Sequence, residues 1–356
     1  MTTSALPRPD DAVRRRPSFR PQHHEQTSTH ADAASAVEIP RNQILLGDAA
    51  TLLAALPAGS VDCVVTSPPY FLLRNYGIDG QLGAESNVSE WVASLVRVMD
   101  EVARVLAPHG SVWLNLGDSF SRHPRFGAQP KSLLLGPERL LLALTRHGWI
   151  VRNKVVWAKP NPMPHSVRDR LSTTWEPIYL LVRSREYFFD LDRIRVPHTS
   201  QAAPRRSHGP DKYLDNRPAW AGRFSGKNDG LTRAKDEGRS GHPRGKNPGD
   251  VWTVSTSSYR GAHFATFPTR LVERPLLAAC PERVCVRCGV PWRPVFRSRP
   301  IQACMCDAGW RPGLVLDPFI GAGTVAVAAK SHRRDWLGIE LNPVYRKLAM
   351  KRLADL

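Results

Sequence analysis

The sequence predicts an α/β fold in which a doubly wound, mainly parallel sheet carries helices on both faces. Two observations indicate this class. From Asn42 onward, short apolar runs alternate with segments whose apolar residues recur at helical spacing. Glycine and proline separate these segments, as expected of parallel strands joined by helical crossovers. The length of 356 residues fits one enlarged α/β domain with insertions.

Each element follows from a local pattern. The helix after residue 88 rests on apolar residues at helical spacing, and Pro108 with Gly110 closes it. Pro137 lies near the start of the next helix and Gly148 follows its end. The predicted elements are a strand at 44–46, a short helix through 52–53, a strand at 61–65, a helix at 88–106, a strand at 111–116, a helix at 137–146 and strands at 150–157 and 177–182.

The loop Thr66-Ser67-Pro68-Pro69-Tyr70 follows the strand at 61–65. Its prolines fix φ, remove two N–H donors and restrict the residue before each of them. The loop is therefore stiff and combines a hydroxyl, free carbonyls and an aromatic ring. This combination suits a flat base that carries an amino group, although a plain proline-rich turn would have the same pattern.

A second pattern lies near the C-terminus. A strand at 314–316 leads to Asp317, a glycine loop with Gly321 and Gly323, and the start of a helix. The strand at 336–339 ends at Glu340, which is placed to accept hydrogen bonds from ribose hydroxyls. Asn342 and Pro343 then open the last helix as N-cap and N1 residues. The missing third glycine argues against a nicotinamide cofactor and suits a nucleoside ligand without a pyrophosphate.

Charge and composition limit the possible classes. Fifty basic and 32 acidic residues give a net charge of +18, which favours a polyanionic partner. The apolar runs are too short for a bilayer span and no signal peptide is evident, so no membrane association is expected. Six cysteines in a chain of this length do not form a disulfide scaffold and fit a reducing cytoplasm.

Two segments depart from the core pattern. Residues 1–40 lack periodicity and are predicted to form a disordered tail. Residues 195–260 are rich in Arg, Lys, Gly and Asn, with aromatic residues among the charges. Two interpretations of this second segment stay open. It is either a disordered linker or an insertion that contacts DNA and orders on binding.

The cysteines include two close pairs, Cys285 with Cys288 and Cys304 with Cys306. Four thiolates in two close pairs are what tetrahedral structural zinc requires, although reduced thiols without a metal are the alternative. Cys63 is expected to be a small buried residue of a core strand. Cys280 is expected to belong to a helix near this Cys-rich insert at about 280–310, with replacement of one of the four ligands as the alternative.

The chain resembles the permuted, beta-group DNA amino-methyltransferases, which methylate N4 of cytosine or N6 of adenine with S-adenosylmethionine. The resemblance covers roughly residues 42–356. Its matching motifs are the Thr66–Tyr70 loop, Asp317-Pro318-Phe319-Ile320-Gly321-Ala322-Gly323-Thr324, Gly47-Asp48-Ala49, Trp157-Ala158-Lys159-Pro160-Asn161, His263-Phe264-Ala265-Thr266-Phe267-Pro268 and Leu337-Gly338-Ile339-Glu340-Leu341-Asn342-Pro343.

The resemblance implies a Rossmann-like methyltransferase fold with a circularly permuted motif order, a basic insertion and a small zinc-knuckle insertion. It divides the chain into the tail at 1–40, a catalytic half at 41–194, a basic DNA-recognition insertion at 195–260 and a cofactor-binding half at 261–356. The strands before Thr66 and Asp317 are expected to lie side by side at the switch point of the sheet.

The resemblance also implies roles for individual residues. Ser67 and Pro68 would bind the amino group of a flipped base and Tyr70 would stack on the base, with Pro69 completing the catalytic loop. The metal ligands would be the four cysteines at 285, 288, 304 and 306. The cofactor-binding residues would be Asp48, Thr66, Phe267, Asp317, Pro318, Phe319, Gly321, Gly323, Thr324, Glu340 and Asn342. For Asp48, a helix N-cap without a ligand role is the alternative.

The expected function is site-specific methylation of cytosine N4 in double-stranded DNA, as in restriction-modification, with a cognate restriction nuclease as a possible partner. Ser rather than Asp at position 67 favours cytosine in this family. Adenine N6 methylation is the alternative, followed by a DNA-binding relative without catalysis and by methylation of RNA or a protein amide.

Overall fold

The computed structural model describes residues 38–164, 166–198, 242–256, 267–292 and 304–356. Most of the predicted tail, residues 199–241 and 257–260 of the predicted basic insertion, and residues 263–266 of the predicted motif at 263–268 lie outside this part. The helices and strands are β1 (Gln43–Leu46), α1 (Ala49–Ala54), β2 (Val61–Thr66), α2 (Val88–Val105), β3 (Leu106–Asn115), α3 (Gly136–Arg146), β4 (Ile150–Ala158), β5 (Trp175–Val182), β6 (Val251–Thr253), α4 (Thr269–Ala279), β7 (Val284–Cys285), β8 (Trp310–Arg311), β9 (Leu314–Asp317), α5 (Thr324–Ser331), β10 (Asp335–Glu340) and α6 (Pro343–Ala354).

An eight-stranded sheet with the order β1-β10-β9-β2-β3-β5-β4-β6 forms the centre of the fold. The neighbours from β1 to β3 pair in parallel, as do β4 and β6. Strand β5 runs antiparallel to both β3 and β4. The predicted α/β fold with a mostly parallel sheet is therefore confirmed.

Helices cover both faces of the sheet. Side chains of α1, α2 and α3 pack on one face and side chains of α4, α5 and α6 on the other. Strand β2 is buried on both sides, because Val61 and Val64 face the first cluster while Cys63 and Val65 face the second. This central position fixes the loop that follows β2.

The boundary between α2 and β3 differs from the prediction. The helix ends at Val105 and the strand begins at Leu106, five residues before the predicted start. Pro108 fixes its own φ and disfavours helical geometry at the residue before it, so the chain becomes extended there. Leu106 then pairs with Val61 of β2.

The Cys-rich segment forms a small two-stranded sheet of β7 and β8 beside the main sheet. Arg311 of β8 donates to the fully buried carboxylate of Asp62 in β2 at 2.6 Å, and the Leu314 N–H donates to the same oxygen at 2.8 Å. His109 contacts the other carboxylate oxygen at 3.1 Å. Burial alone would raise the pKa of Asp62, but the bonds with His109 and Arg311 outweigh burial and lower it.

Among the described residues, no helix has both the length and the apolar character needed to cross a bilayer.

Candidate active site

The carboxyl ends of the central strands meet at one edge of the sheet. β9 lies between β2 and β10, and all three are parallel. Thr66 at the end of β2 donates its hydroxyl to Oδ1 of Asp317 at the end of β9, at 2.7 Å. Both residues are almost fully buried. The predicted neighbourhood of these two strands is confirmed, although 251 residues separate Thr66 from Asp317.

An open cleft of about 1760 Å³ lies above these strand ends. The loop after β2 lines one part of it, and the loops after β9 and β10 line another. The predicted site residues that line it are Asp48, Ser67, Pro68, Pro69, Tyr70, Phe267, Pro318, Phe319, Gly321, Thr324, Glu340 and Asn342. Thr66, Asp317 and Gly323 do not line the cleft and instead support the loops that do.

Contacts with α2 and with Gly117 fix the loop after β2. The indole Nε1–H of Trp91 in α2 donates to the Pro69 carbonyl at 3.0 Å. A side chain at Gly117 would lie 2.5 Å from the Tyr70 ring, so only glycine allows that ring its position. Within the described residues no group donates to the Pro68 carbonyl, and Pro68 itself lines the cleft.

Tyr70 is the centre of a polar network at the floor of the cleft. Its hydroxyl lies 3.1 Å from Ser67 Oγ, 3.2 Å from Asn115 Oδ1 and 2.9 Å from Glu176 Oε2. Asn115 donates from Nδ2 to Glu176 Oε2 at 3.2 Å. Lys159 forms an ion pair with the other oxygen of Glu176. Burial raises the pKa of Tyr70 well above 10, and the neighbouring Glu176 raises it further. Tyr70 therefore acts as a neutral hydroxyl.

Sequence reasoning missed Glu176 and Asn115. Asn115 ends β3 and so lies at the expected edge of the sheet. Glu176 lies near the start of β5, which reaches the same edge only because β5 is antiparallel. The one available signal was an acidic residue beside the apolar run at 177–182, and strand direction cannot be read from that run.

The loops after β9 and β10 share Glu340. Its Oε2 accepts the Gly321 N–H at 2.9 Å and its Oε1 accepts the Asn342 N–H at 2.8 Å. Burial raises the pKa of Glu340, while these N–H groups oppose that shift. The carboxylate is thus fixed at the mouth of the cleft, and each oxygen retains a second lone pair for a ligand.

Asp317 lies behind this part of the cleft. Both of its hydrogen bonds, from Thr66 Oγ1 and the Phe319 N–H, use Oδ1. Oδ2 makes no hydrogen bond with the described residues. Burial raises the pKa of Asp317 to about 7. The carboxyl group therefore joins β2 and β9 and remains able to change its charge near neutral pH.

Two predictions about helix starts are resolved at this edge. Asp48 accepts the Thr51 N–H at 2.9 Å as the N-cap of α1 and also lines the cleft, so the capping role is present and a ligand role stays a prediction. Asn342 caps α6 through the Val344 N–H at 2.9 Å, with Pro343 at N1, as predicted. Gly323 is the N-cap of α5 with φ of +78°.

The four predicted metal ligands lie together. The Sγ atoms of Cys285, Cys288, Cys304 and Cys306 are all within 4.8 Å of one another. In a tetrahedral site with Zn–S bonds of about 2.3 Å, neighbouring sulfurs lie about 3.8 Å apart, so the cluster has the required size. Cys63 is fully buried in β2, as predicted, and Cys280 is buried at the end of α4. Neither belongs to the cluster.

Comparisons with known proteins decide the family. A family model described as DNA methylase matches residues 61–351. The Type II methyltransferase M.Cfr9I of Citrobacter freundii is 33% identical over 329 residues, which cover 86% of each chain. The chain belongs to the N4/N6 DNA methylase family. It is therefore a DNA methyltransferase that depends on S-adenosylmethionine.

Two further comparisons support this placement. The Type II methyltransferase M.SfiI of Streptomyces fimbriatus is 50% identical over 177 residues, covering 47% of this chain and 42% of that one. A solved structure titled PvuII DNA methyltransferase (cytosine-N4-specific) matches with a TM-score of 0.54 at 17% identity, covering 88% of this chain and 89% of the other. At that identity the second similarity bears on the methyltransferase fold alone.

Proposed function

We propose that this DNA methyltransferase modifies the exocyclic N4 amine of a cytosine flipped out of double-stranded DNA. The observation that carries the proposal is that Ser67 and Pro68, whose hydroxyl and carbonyl can accept hydrogen bonds, line the cleft together with Tyr70. The amine of a base is a poor nucleophile because its lone pair is conjugated into the ring. Acceptors for its two N–H groups favour a more pyramidal and more reactive nitrogen.

The other part of the cleft suits S-adenosylmethionine. Glu340 would accept hydrogen bonds from the ribose hydroxyls through the free lone pairs of its fixed carboxylate. The remaining lining would surround the cofactor, with Asp48 near the adenine and Phe319 and Gly321 near the methionine part. In-line attack on the sulfonium methyl then requires chiefly positioning of the two substrates. Asp317, Thr66 and Gly323 support this cofactor loop from behind the lining, and their predicted direct contacts with the cofactor remain part of the proposal.

The preference for cytosine rests on Ser67. In the family that the sequence resembles, the Thr-Ser-Pro-Pro-Tyr form is characteristic of cytosine N4 methylation, although some adenine enzymes also carry it. The PvuII enzyme is cytosine-N4-specific by its title, but at 17% identity it supports the fold only. Adenine N6 remains the second candidate, since both bases present an exocyclic amine to the same two acceptors.

DNA recognition is proposed for the basic insertion at 195–260. The described ends of this segment meet, because Val196 and Lys246 exchange backbone hydrogen bonds of 3.0 and 2.8 Å. After β6 the chain reaches Thr256, which lines the cleft and donates its N–H to Asn161 Oδ1 at 2.9 Å. The described part of the insertion therefore reaches the cleft at Thr256, which supports a role in contacting DNA around a flipped base.

We also infer a permuted order for the two halves. The catalytic loop after β2 precedes the cofactor loop after β9 in the chain, while the two strands are neighbours in the sheet. This order supports the proposed halves at 41–194 and 261–356. The resemblance to Type II methyltransferases supports a cognate restriction nuclease that recognises the same DNA site.

Nucleoside mass spectrometry tests the reaction directly. DNA is incubated with the protein and S-adenosylmethionine carrying a deuterated methyl group, digested to nucleosides and analysed for labelled bases. Labelled N4-methyldeoxycytidine is expected. Labelled N6-methyldeoxyadenosine alone would replace cytosine with adenine, and no labelled base on any DNA would contradict the enzymatic proposal. RNA and protein substrates in parallel reactions test the remaining methyl acceptors.

Matched variants identify the site. Ser67→Ala removes one preorganised group and is expected to slow methyl transfer by about 10²–10³-fold. Ser86→Ala makes the same chemical change on an exposed hydroxyl that bonds Glu90 outside the cleft, and should keep the wild-type rate. Asp317→Ala should weaken S-adenosylmethionine binding in calorimetry. Cofactor binding without methylation in the wild type would favour a relative that has lost catalysis.

A structural zinc ion is proposed for the four clustered cysteines. Elemental analysis of protein purified without chelator should give about one zinc per chain. Cys288→Ser should lower that ratio well below one, whereas Cys63→Ala, outside the cluster, should leave it unchanged. A zinc-free wild-type protein that takes up none on reconstitution, or equal zinc in wild type and Cys288→Ser, would contradict the assignment.

A further inference from the structure

The hydrogen-bond directions in the polar network depend on Glu176. Its carboxylate receives three donors: the Tyr70 hydroxyl, Asn115 Nδ2 and the Lys159 ammonium group. The side chains of Glu176 and Lys159 are 17% and 16% exposed, so water has little access to this pair. An ionised carboxylate accepts and cannot donate. Every group that bonds Glu176 must therefore donate towards it.

The orientation of Asn115 follows from its neighbours. Its Nδ2 lies 3.2 Å from Glu176 Oε2 and 3.2 Å from the Pro177 carbonyl, and both are acceptors. The reversed amide would place its oxygen against both of them. Oδ1 of Asn115 therefore faces Tyr70 and Ser67 as a second acceptor in the network.

The direction in which Tyr70 donates determines the direction of the Ser67 hydrogen bond. The single hydroxyl proton of Tyr70 goes to Glu176 Oε2 at 2.9 Å, the nearer of the two acceptors, rather than to Asn115 Oδ1 at 3.2 Å. The Tyr70 oxygen can then only accept from Ser67. The single Ser67 proton is directed to Tyr70 at 3.1 Å or to Asn115 Oδ1 at 3.4 Å. In both arrangements the Ser67 oxygen offers lone pairs to the cleft.

We propose that Glu176 is a positioning residue that fixes the direction of this network, so that Ser67 accepts a hydrogen bond from the amine to be methylated. A neutral amide at position 176 could donate to Tyr70. Tyr70 could then donate to Ser67, and the Ser67 proton would point at the N–H of the base. The inference rests on the proposed methylation of an exocyclic amine and holds for cytosine and adenine alike.

The test compares first-turnover rates of methyl transfer at saturating DNA and S-adenosylmethionine. Glu176→Gln keeps the shape of the side chain and loses its acceptor-only character. Its rate is expected to fall about 100-fold, in the range found when one preorganised group is lost. The dissociation constant for S-adenosylmethionine and the KM for DNA should stay within about threefold of wild type.

Two further variants separate positioning from general structural support. Lys159→Met breaks the same ion pair but leaves the acceptor-only carboxylate beside Tyr70, and its rate should fall less than about tenfold. Glu176 acts through Tyr70, so Glu176→Gln in a Tyr70→Phe background should cost less than about threefold more. If Glu176 had only a structural role, Glu176→Gln and Lys159→Met would lower the first-turnover rate equally. Glu176→Gln would then also lower the rate of the Tyr70→Phe variant by the same factor as it lowers the wild-type rate.

Each outcome has a separate meaning. A wild-type protein that methylates no amine would overturn the proposed function itself. A wild-type protein that methylates while Glu176→Gln retains its rate within about threefold would overturn the role of Glu176 alone. Equal losses of rate in Glu176→Gln and Lys159→Met would also overturn the role of Glu176 alone.

Discussion

The bond between Thr66 and Asp317 joins the two strands whose loops form the cleft, and Thr66→Val removes it with little change of volume. Thr66 is 2% exposed and Asp317 is 1% exposed. The hydroxyl donates to Asp317 Oδ1 at 2.7 Å. A buried hydrogen bond to a charged group contributes about 1.5–3 kcal/mol, and one to a neutral group about 0.5–1.5 kcal/mol. The free energy of unfolding should therefore fall by about 2 kcal/mol when Asp317 is ionised.

The free energy of unfolding that Thr66→Val loses should depend on pH. Burial raises the pKa of Asp317 to about 7 in the folded protein, above the ordinary value of 3.8. The folded state therefore holds a proton that the unfolded state has released, so this group lowers wild-type stability as pH rises from about 4 to 7. The Thr66 bond opposes the rise in pKa, and Val at this position extends the fall beyond pH 7. The expected loss is about 2 kcal/mol at pH 8.5 and about 1 kcal/mol at pH 5.5.

Urea unfolding of both proteins at the two pH values measures this difference. Thr51→Val is the matched control, because Thr51 also donates its hydroxyl to an aspartate, Asp48, at 2.9 Å but is exposed. Its loss should stay below about 0.5 kcal/mol. Equal losses in the two variants would refute the role assigned to burial. An equal loss at both pH values would refute the change in charge of Asp317.

Two more predictions concern the supports of the site. Gly323 has φ of +78°, and an added Cβ would lie 3.1 Å from Ala349 Cβ. At Gly59, φ is +64° and nothing lies within 4 Å of an added Cβ. Gly323→Ala should therefore lower the free energy of unfolding by about 1 kcal/mol more than Gly59→Ala. Arg311→Met leaves the fully buried Asp62 with one cation fewer and should cost about 3 kcal/mol. Arg193→Met removes an exposed ion pair and should lower the free energy of unfolding by less than about 1 kcal/mol. Urea midpoints test each pair, and equal losses within a pair would contradict the reasoning.

Much of the fold was readable because its signals are local. Apolar runs and helical spacing predicted the alternation of strands and helices, and the loop after β2 was recognisable from two adjacent prolines. The end of α2 was predicted from Pro108 to within one residue, but the early start of β3 at Leu106 was missed, because it depends on pairing with Val61. The antiparallel direction of β5 depends on pairing with β3 and β4, and no local pattern encodes it.

The candidate site shows the same division. Ser67, Glu340 and Asn342 were predicted because each follows a strand and lies in a recognisable motif. Thr66 and Asp317 were predicted as cofactor ligands, but the structure places them behind the lining, where they bond each other. Their assignment as direct ligands stays a prediction. Glu176 was missed because its approach to Tyr70 depends on strand direction.

The sequence by itself determined the methyltransferase motifs, the two loops that carry them and the four clustered cysteines, because short spacings and residue chemistry encode these features. The tertiary structure alone decided which groups meet across the chain. It joined Thr66 to Asp317 and brought Glu176 to Tyr70 over a separation of 106 residues. The physical reason is that hydrogen bonds between distant segments depend on strand order and direction, and long-range packing fixes both.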